Sequence, residues 1–174
     1  MTSAQQDSAF TAGEWFKFKM SYSNWLKAGN ATLTVKDAKI DDKEVYHVVG
    51  KGWTTGMIKW FFKVKDRYES FFDKETIMPY KFVRNINEGG FTKYENISFY
   101  HDNGTAITRE GVFKVPRCVQ DVLSEVYLAR NIDFSKSKPN DLIPFDLFLD
   151  NKVYNMHIRY LGKETIRTRY GKFK

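Results

Sequence analysis

Along most of the chain, apolar and polar residues alternate with a period of two, the pattern of strands that bury one face. Residues 15–22 place Phe16, Phe18, Met20 and Tyr22 on one side, with Lys17 and Lys19 on the other. Further alternating runs cover 31–35, 44–49, 57–64, 67–72, 80–86, 91–100, 106–115, 142–149, 153–161 and 164–170. In 57–64, Ile58, Trp60, Phe62 and Val64 would face inward while Lys59 and Lys63 face water. Gly50, Gly52 and Gly56 are read as breaks around Trp53. Turn chemistry separates the runs: an Asp-rich loop at 39–43, Glu88-Gly89-Gly90, Asp102-Asn103-Gly104 and Asp150-Asn151. Asn103-Gly104 suits the positive-φ pair of a type I′ hairpin turn.

One stretch breaks the period. In 119–131, Val119, Val122, Leu123, Val126 and Tyr127 fall at i, i+3, i+4, i+7 and i+8, which predicts one amphipathic helix. Asp121 near its start and Arg130 near its end complement the helix dipole, and Asn131 is a natural C-terminal cap. Short strands at hairpin spacing plus one helix predict a mainly β protein: a single antiparallel, strongly curved sheet, half-barrel or barrel. The polar lead-in 1–12 lies outside this domain, which takes in 13–174.

Composition changes the picture in four ways. At 174 residues the chain suits one domain, and its 15 Phe, 10 Tyr and 4 Trp favour pleated, half-buried surfaces. No apolar run approaches the length of a membrane-spanning helix. The lone Cys118 excludes an internal disulfide and a cysteine metal cluster. It is read as a small buried apolar residue, the other reading being a thiol activated by the helix N-terminus. The net charge of +7 gathers in 152–174. Strand alternation there reads as a solvated face, and attraction to phosphate or anionic headgroups is the other reading.

Candidate chemistry is sparse. His47, His101 and His157 show no metal-ligand spacing, and neither a nucleophile elbow nor a phosphate-binding glycine loop appears, so no metal and no cofactor is expected. Asp66, Glu69, Asp73, Glu88 and Glu164 at turns and strand ends are read as structural partners of Arg67, Arg84 or Lys163. A converging pair would instead suit a glycan or cell-wall hydrolase. Trp60, Phe62, Tyr68, Phe72, Tyr154, Met156 and Tyr160 are read either as core or as the lining of a concave surface for a lipid, acyl chain or glycan. Arg159, Arg167 and Arg169 would then meet an anionic headgroup at the rim. Nucleic acid is not expected, because the basic residues fall on the strand faces opposite the aromatics.

Several segments in order resemble one bacterial family of exported proteins, domain of unknown function 3108. They are Phe10-Thr11-Ala12-Gly13-Glu14, Ala28-Gly29-Asn30-Ala31, Lys65-Asp66-Arg67-Tyr68-Glu69-Ser70, Asn87-Glu88-Gly89-Gly90 and the helical stretch from Val119 to Arg130. Gly162-Lys163-Glu164 and Tyr170-Gly171-Lys172-Phe173 complete the set, in a style similar to Bacteroidetes-type members. The resemblance implies a periplasmic or otherwise exported β-rich protein with no established catalytic residue. It also implies further strands beyond Lys174, and a start that has lost its signal peptide. The function expected is binding of an apolar or amphiphilic envelope component, with a structural or protein–protein adaptor in the envelope as the alternative.

Overall fold

The computed structural model describes residues 8–21, 27–168 and 170–173. The fold is mainly β, as the alternation predicts. Eight strands follow one another as an antiparallel meander: β1 (Trp15–Ser21), β2 (Lys27–Ile40), β3 (Lys43–Thr54), β4 (Lys65–Asp73), β5 (Pro79–Glu88), β6 (Phe91–Tyr100), β7 (Thr105–Thr108) and β8 (Gly111–Lys114). The hairpin β9 (Leu142–Leu149) and β10 (Lys152–Arg159) forms a second sheet, and β11 (Ile166–Thr168) pairs with β12 (Gly171–Phe173). The barrel expectation is not met. The large sheet is open, with β1 and β8 as separate edges, and it does not curl strongly.

Turn residues set the register. Gly89 and Gly90 both take positive φ between the paired Glu88 and Phe91, as do Asp150 and Asn151 between Leu149 and Lys152, so these are the two-residue hairpins with matching twist. At 101–104 only Gly104 has positive φ and the loop is four residues long, so the type I′ reading there is corrected. A turn at Arg109-Glu110 splits the expected strand 106–115 into β7 and β8. Gly50 and Gly52 do not break the chain. They lie inside β3, and a Cβ on Gly50 would stand 3.3 Å from Leu33 and 3.6 Å from Leu123, so glycine lets the helix sit close to the sheet.

The run 57–64 is the largest departure. It does not form a strand but a four-residue helix, α1 (Ile58–Phe61), that leaves the sheet between β3 and β4. Trp60-Phe61-Phe62 puts three aromatics in sequence, which strand alternation cannot bury on one face, and only Val64 rejoins the ladder, opposite Glu88.

The expected main helix is present as α2 (Val122–Arg130), three residues shorter at its start. Asp121 is its N-cap rather than a first-turn residue, accepting from the N–H groups of Leu123 and Ser124, while Ser124 Oγ accepts from Asp121 N–H. Upstream of this box the chain is extended: Gln120 N–H donates to Asp146 O (2.8 Å) and Phe148 N–H to Gln120 O (2.9 Å), tying α2 to β9. The buried residues of α2 are Leu123, Ser124, Glu125 and Tyr127, and Val126 is left exposed. Cys118, expected to be buried, is exposed, because the extended approach turns Val119 inward instead.

The core lies between one face of the meander and the layer made by α2 and β9. Val35, Val48, Phe72, Phe82, Ile97, Phe99 and Ala106 from the sheet meet Val119, Leu123, Tyr127 and Phe148, with Phe10 wedged among Tyr46, Phe72 and Tyr127. Burial of this apolar surface is the main stabilising contribution.

Candidate functional site

The register of β3, β4 and β5 sets up a cationic surface on the face turned away from α2. Lys51 pairs with Arg67 and Arg67 with Asn85, while Trp53 pairs with Lys65. These odd-numbered residues point opposite to the core residues Val48, Ser70, Phe72 and Phe82. The chain leaving β3 at Thr54 passes through α1 and returns at Lys65, which brings Lys59 and Lys63 over the same region. The result is a cleft of about 770 Å³ walled by Lys51, Trp53, Lys59, Lys63, Lys65, Arg67, Asn85 and Asn87.

Five cations line this cleft against one carboxylate, Asp66. Arg67 is already engaged, its Nε donating to Glu69 Oε1 at 2.6 Å, and Glu69 is held a second time by His47 Nε2 at 2.7 Å. The Arg67 bond lowers the Glu69 pKa, so that carboxylate stays ionised. The four lysines have no ion-pair partner among the described residues. Four unpaired ammonium groups around the half-buried Trp53, with two side-chain amides, suit an anionic group attached to a flat or apolar body.

The expected aromatic set does not converge on one surface. Phe72 is fully buried core, and Tyr68 packs against that core. Tyr154 and Met156 are exposed on β10, and Tyr160 stacks on Phe134 beyond the end of that strand (centroids 5.2 Å). Trp60 and Phe62 belong to the α1 connection, beside Lys59 and Lys63 of the cleft. Of the expected rim, Arg159 is exposed on β10 and Arg167 on β11, while Arg169 lies outside the described residues. Of the cleft lysines, Lys59 and Lys63 are water-facing positions of the alternation, whereas Lys51 lies between glycines read as breaks. What strand alternation lacks is register, and only register and the α1 excursion bring these residues together.

Asp66 and Glu88 are the turn carboxylates that come together. They share a hydrogen bond that, with the like charge, raises the Glu88 pKa. That contact is tighter than the roughly 5–9 Å separation of a glycosidase pair. Asp66 also accepts from Asn87 N–H at 3.0 Å, a cross-strand contact between β4 and β5. Among the described residues no cluster of His, Cys, Asp or Glu is suited to hold a metal ion, and no helix is long and apolar enough to cross a membrane.

An open antiparallel meander, backed on one face by a capped helix and carrying a lysine-rich cleft on the other, defines a β-sheet protein with a cationic surface site. Residues 17–174 match the family described as Protein of unknown function (DUF3108), and the chain belongs to that family. No curated protein and no solved structure matches it.

Proposed function

We propose that the protein is a non-catalytic, exported binding protein that holds the anionic head of an amphiphilic envelope component, a lipid or a charged glycan. The lysine cleft carries this reading: Lys51, Lys59, Lys63 and Lys65 supply charge-assisted donors, and the Trp53 indole supplies a face for an apolar body. Its ligand is a phosphate or carboxylate headgroup, not a purely apolar chain. The test is a titration of 15N-labelled protein with glycerol phosphate and with a uronic acid, beside native mass spectrometry of the protein purified from a Gram-negative host. Shifts confined to the cleft, lost in Lys51→Glu/Lys65→Glu, are the expected result. An unshifted cleft with no co-purifying anion would sink the reading. Fractionation of Gram-negative cells expressing the natural gene tests export.

A structural adaptor is the second reading. It is favoured by the edge strand β1, which pairs only with β2 among the described residues and whose Trp15, Phe16, Phe18 and Met20 are all exposed. It predicts a protein partner that Phe18→Lys abolishes while headgroup binding persists.

A further inference from the structure

Between Thr54 and Lys65 the chain leaves the sheet, makes one helical turn and returns. α1 buries no residue and has no side-chain cap, and a turn that short is not held by its own hydrogen bonds. It is held at its feet. Thr54 N–H donates to Val64 O (3.3 Å), Val64 N–H to Thr54 Oγ1 (2.9 Å) and Gly89 N–H to Lys63 O (2.9 Å). The Phe62 ring lies so close over Gly89 that a Cβ there would overlap it. The connection is therefore a built projection, and its apex is apolar: Trp60 and Phe61 are 88% and 89% exposed, and Met57 is exposed beside them.

The surroundings of the apex indicate what covers it. Phe91, exposed, stands at the same end of the sheet, since the β5–β6 turn is bridged to the returning strand through Val64 and Glu88. Lys59 and Lys63 flank the three consecutive aromatics, and both line the cleft together with Lys51 and Lys65. Aromatic rings at a tip with a collar of unpaired lysines complement an interface that is apolar inside and negatively charged at its surface. Aromatic rings favour the headgroup–acyl boundary of a bilayer, and lysine ammonium groups reach lipid phosphates.

We propose that the β3–β4 connection docks this protein onto an anionic lipid bilayer, with Trp60 and Phe61 entering the interface and Lys59 and Lys63 meeting phosphates. The inference goes beyond the cleft's ligand, because Met57, Trp60 and Phe61 do not line the cleft. Co-sedimentation tests it, using vesicles of phosphatidylcholine alone and of equal parts phosphatidylcholine and phosphatidylglycerol. The expected result is salt-sensitive binding to the mixed vesicles, reduced at least about tenfold in Trp60→Ala/Phe61→Ala. Both side chains are almost fully exposed, so the variant should keep its circular dichroism spectrum and melting temperature. Wild-type protein left in the supernatant with mixed vesicles overturns the proposal, as does a double variant that sediments like the wild type. A wild-type dimer that becomes monomeric in the double variant also overturns it, because the apex is then covered by a second copy. The glycerol phosphate titration repeated on Trp60→Ala/Phe61→Ala separates the two readings. Headgroup binding retained there with vesicle binding lost is the expected pair, whereas headgroup binding absent with vesicle binding intact in the wild type counts against the cleft alone.

Discussion

Ser70 on β4 donates its hydroxyl to the carboxylate of Asp121, the N-cap of α2, at 2.5 Å, with both residues fully buried. This contact joins the sheet to its helix at the point where the helix needs an acceptor for its first free N–H groups. Burial pushes the Asp121 pKa up to about 6, against the opposing pull of bonds from Ser70, Ser124 and Leu123. Asp121→Ala removes the cap and orphans a buried hydroxyl and two buried N–H groups. We expect a loss of about 2–4 kcal/mol in urea denaturation. Asp121→Asn, which can still cap, should cost clearly less.

Stability should fall as pH rises from about 4 to about 7. In the unfolded chain Asp121 and Glu125 ionise near their ordinary values of 3.8 and 4.5. In the folded protein burial delays ionisation to about 6 for Asp121 and about 7 for Glu125. Across that window the folded state holds protons that the unfolded state has released, so the stability present below pH 4 is progressively lost. Glu125→Gln should flatten the upper part of this slope and raise stability at pH 8 by about 1–3 kcal/mol. The lowered carboxylates Glu69, Asp73 and Asp150 act at more acid pH and in the opposite direction. Urea midpoints measured from pH 3 to pH 8 check both arms.

The β9–β10 hairpin is clamped to the large sheet by charge. Arg84, with its side chain 8% exposed, pairs with Glu95 at 2.6 Å and with Asp150 at the hairpin turn, and Lys93 bridges the same two carboxylates. Arg84→Ala leaves Glu95 in a nearly dry site with a single remaining partner, and should cost about 3–5 kcal/mol. Asp150→Asn keeps the positive-φ turn, which asparagine tolerates, and removes only the charge. A cost of about 1–2 kcal/mol is expected, with faster amide exchange across β9 and β10 than across β3–β6.

Much of this architecture is legible in the sequence because a half-buried strand writes its face into alternation. β6 and β9 coincide with their alternating runs, and β1 and β4 lie within two residues of theirs. The failures share a cause. The alternation of Ile58, Trp60, Phe62 and Val64 imitates a strand, but no neighbour is placed to pair with it, and pairing is a property of the sheet rather than of the segment. Val119 fits the helical period, yet Asp121 with Ser124 makes a stronger start signal two residues later. For the site, Lys59 and Lys63 are legible as water-facing positions, but Lys51 stands between glycines read as breaks, and cross-strand neighbours cannot be read from one strand at a time. The basic run 152–174 places the expected rim at Arg159 and Arg167, which the fold leaves on β10 and β11, away from the cleft strands.

Gly89 should be nearly irreplaceable. It adopts φ 56 in the β5–β6 turn, and the Phe62 ring occupies the space of any side chain there. Gly89→Ala adds backbone strain and displaces Phe62, and with it the foot of α1, at a cost of about 1–3 kcal/mol. Adding Phe62→Ala removes the overlap but not the strain. The double variant should therefore regain part of the loss relative to the sum of the two single changes. A double-mutant cycle from thermal or urea unfolding reads that coupling, and strictly additive costs would show that the ring and the turn do not constrain each other.

The cleft makes its own prediction about charge. Lys51 and Lys65 stand on adjacent strands, on the same face as Arg67, and neither is ion-paired among the described residues. Like charges brought this close repel, so the folded state bears a small electrostatic penalty that salt screens. Lys51→Gln should leave stability unchanged or raise it by about 0.5 kcal/mol at low ionic strength, with the gain vanishing as salt is added. Headgroup binding should move the other way, weakening by about three- to tenfold for each lysine removed and losing part of its salt dependence. A surface selected only for stability would not carry that opposition. Lysines that cost folding free energy and supply binding are the signature expected of a site, and unfolding and titration measured on the same Lys51→Gln and Lys65→Gln proteins would reveal whether the two effects have opposite signs.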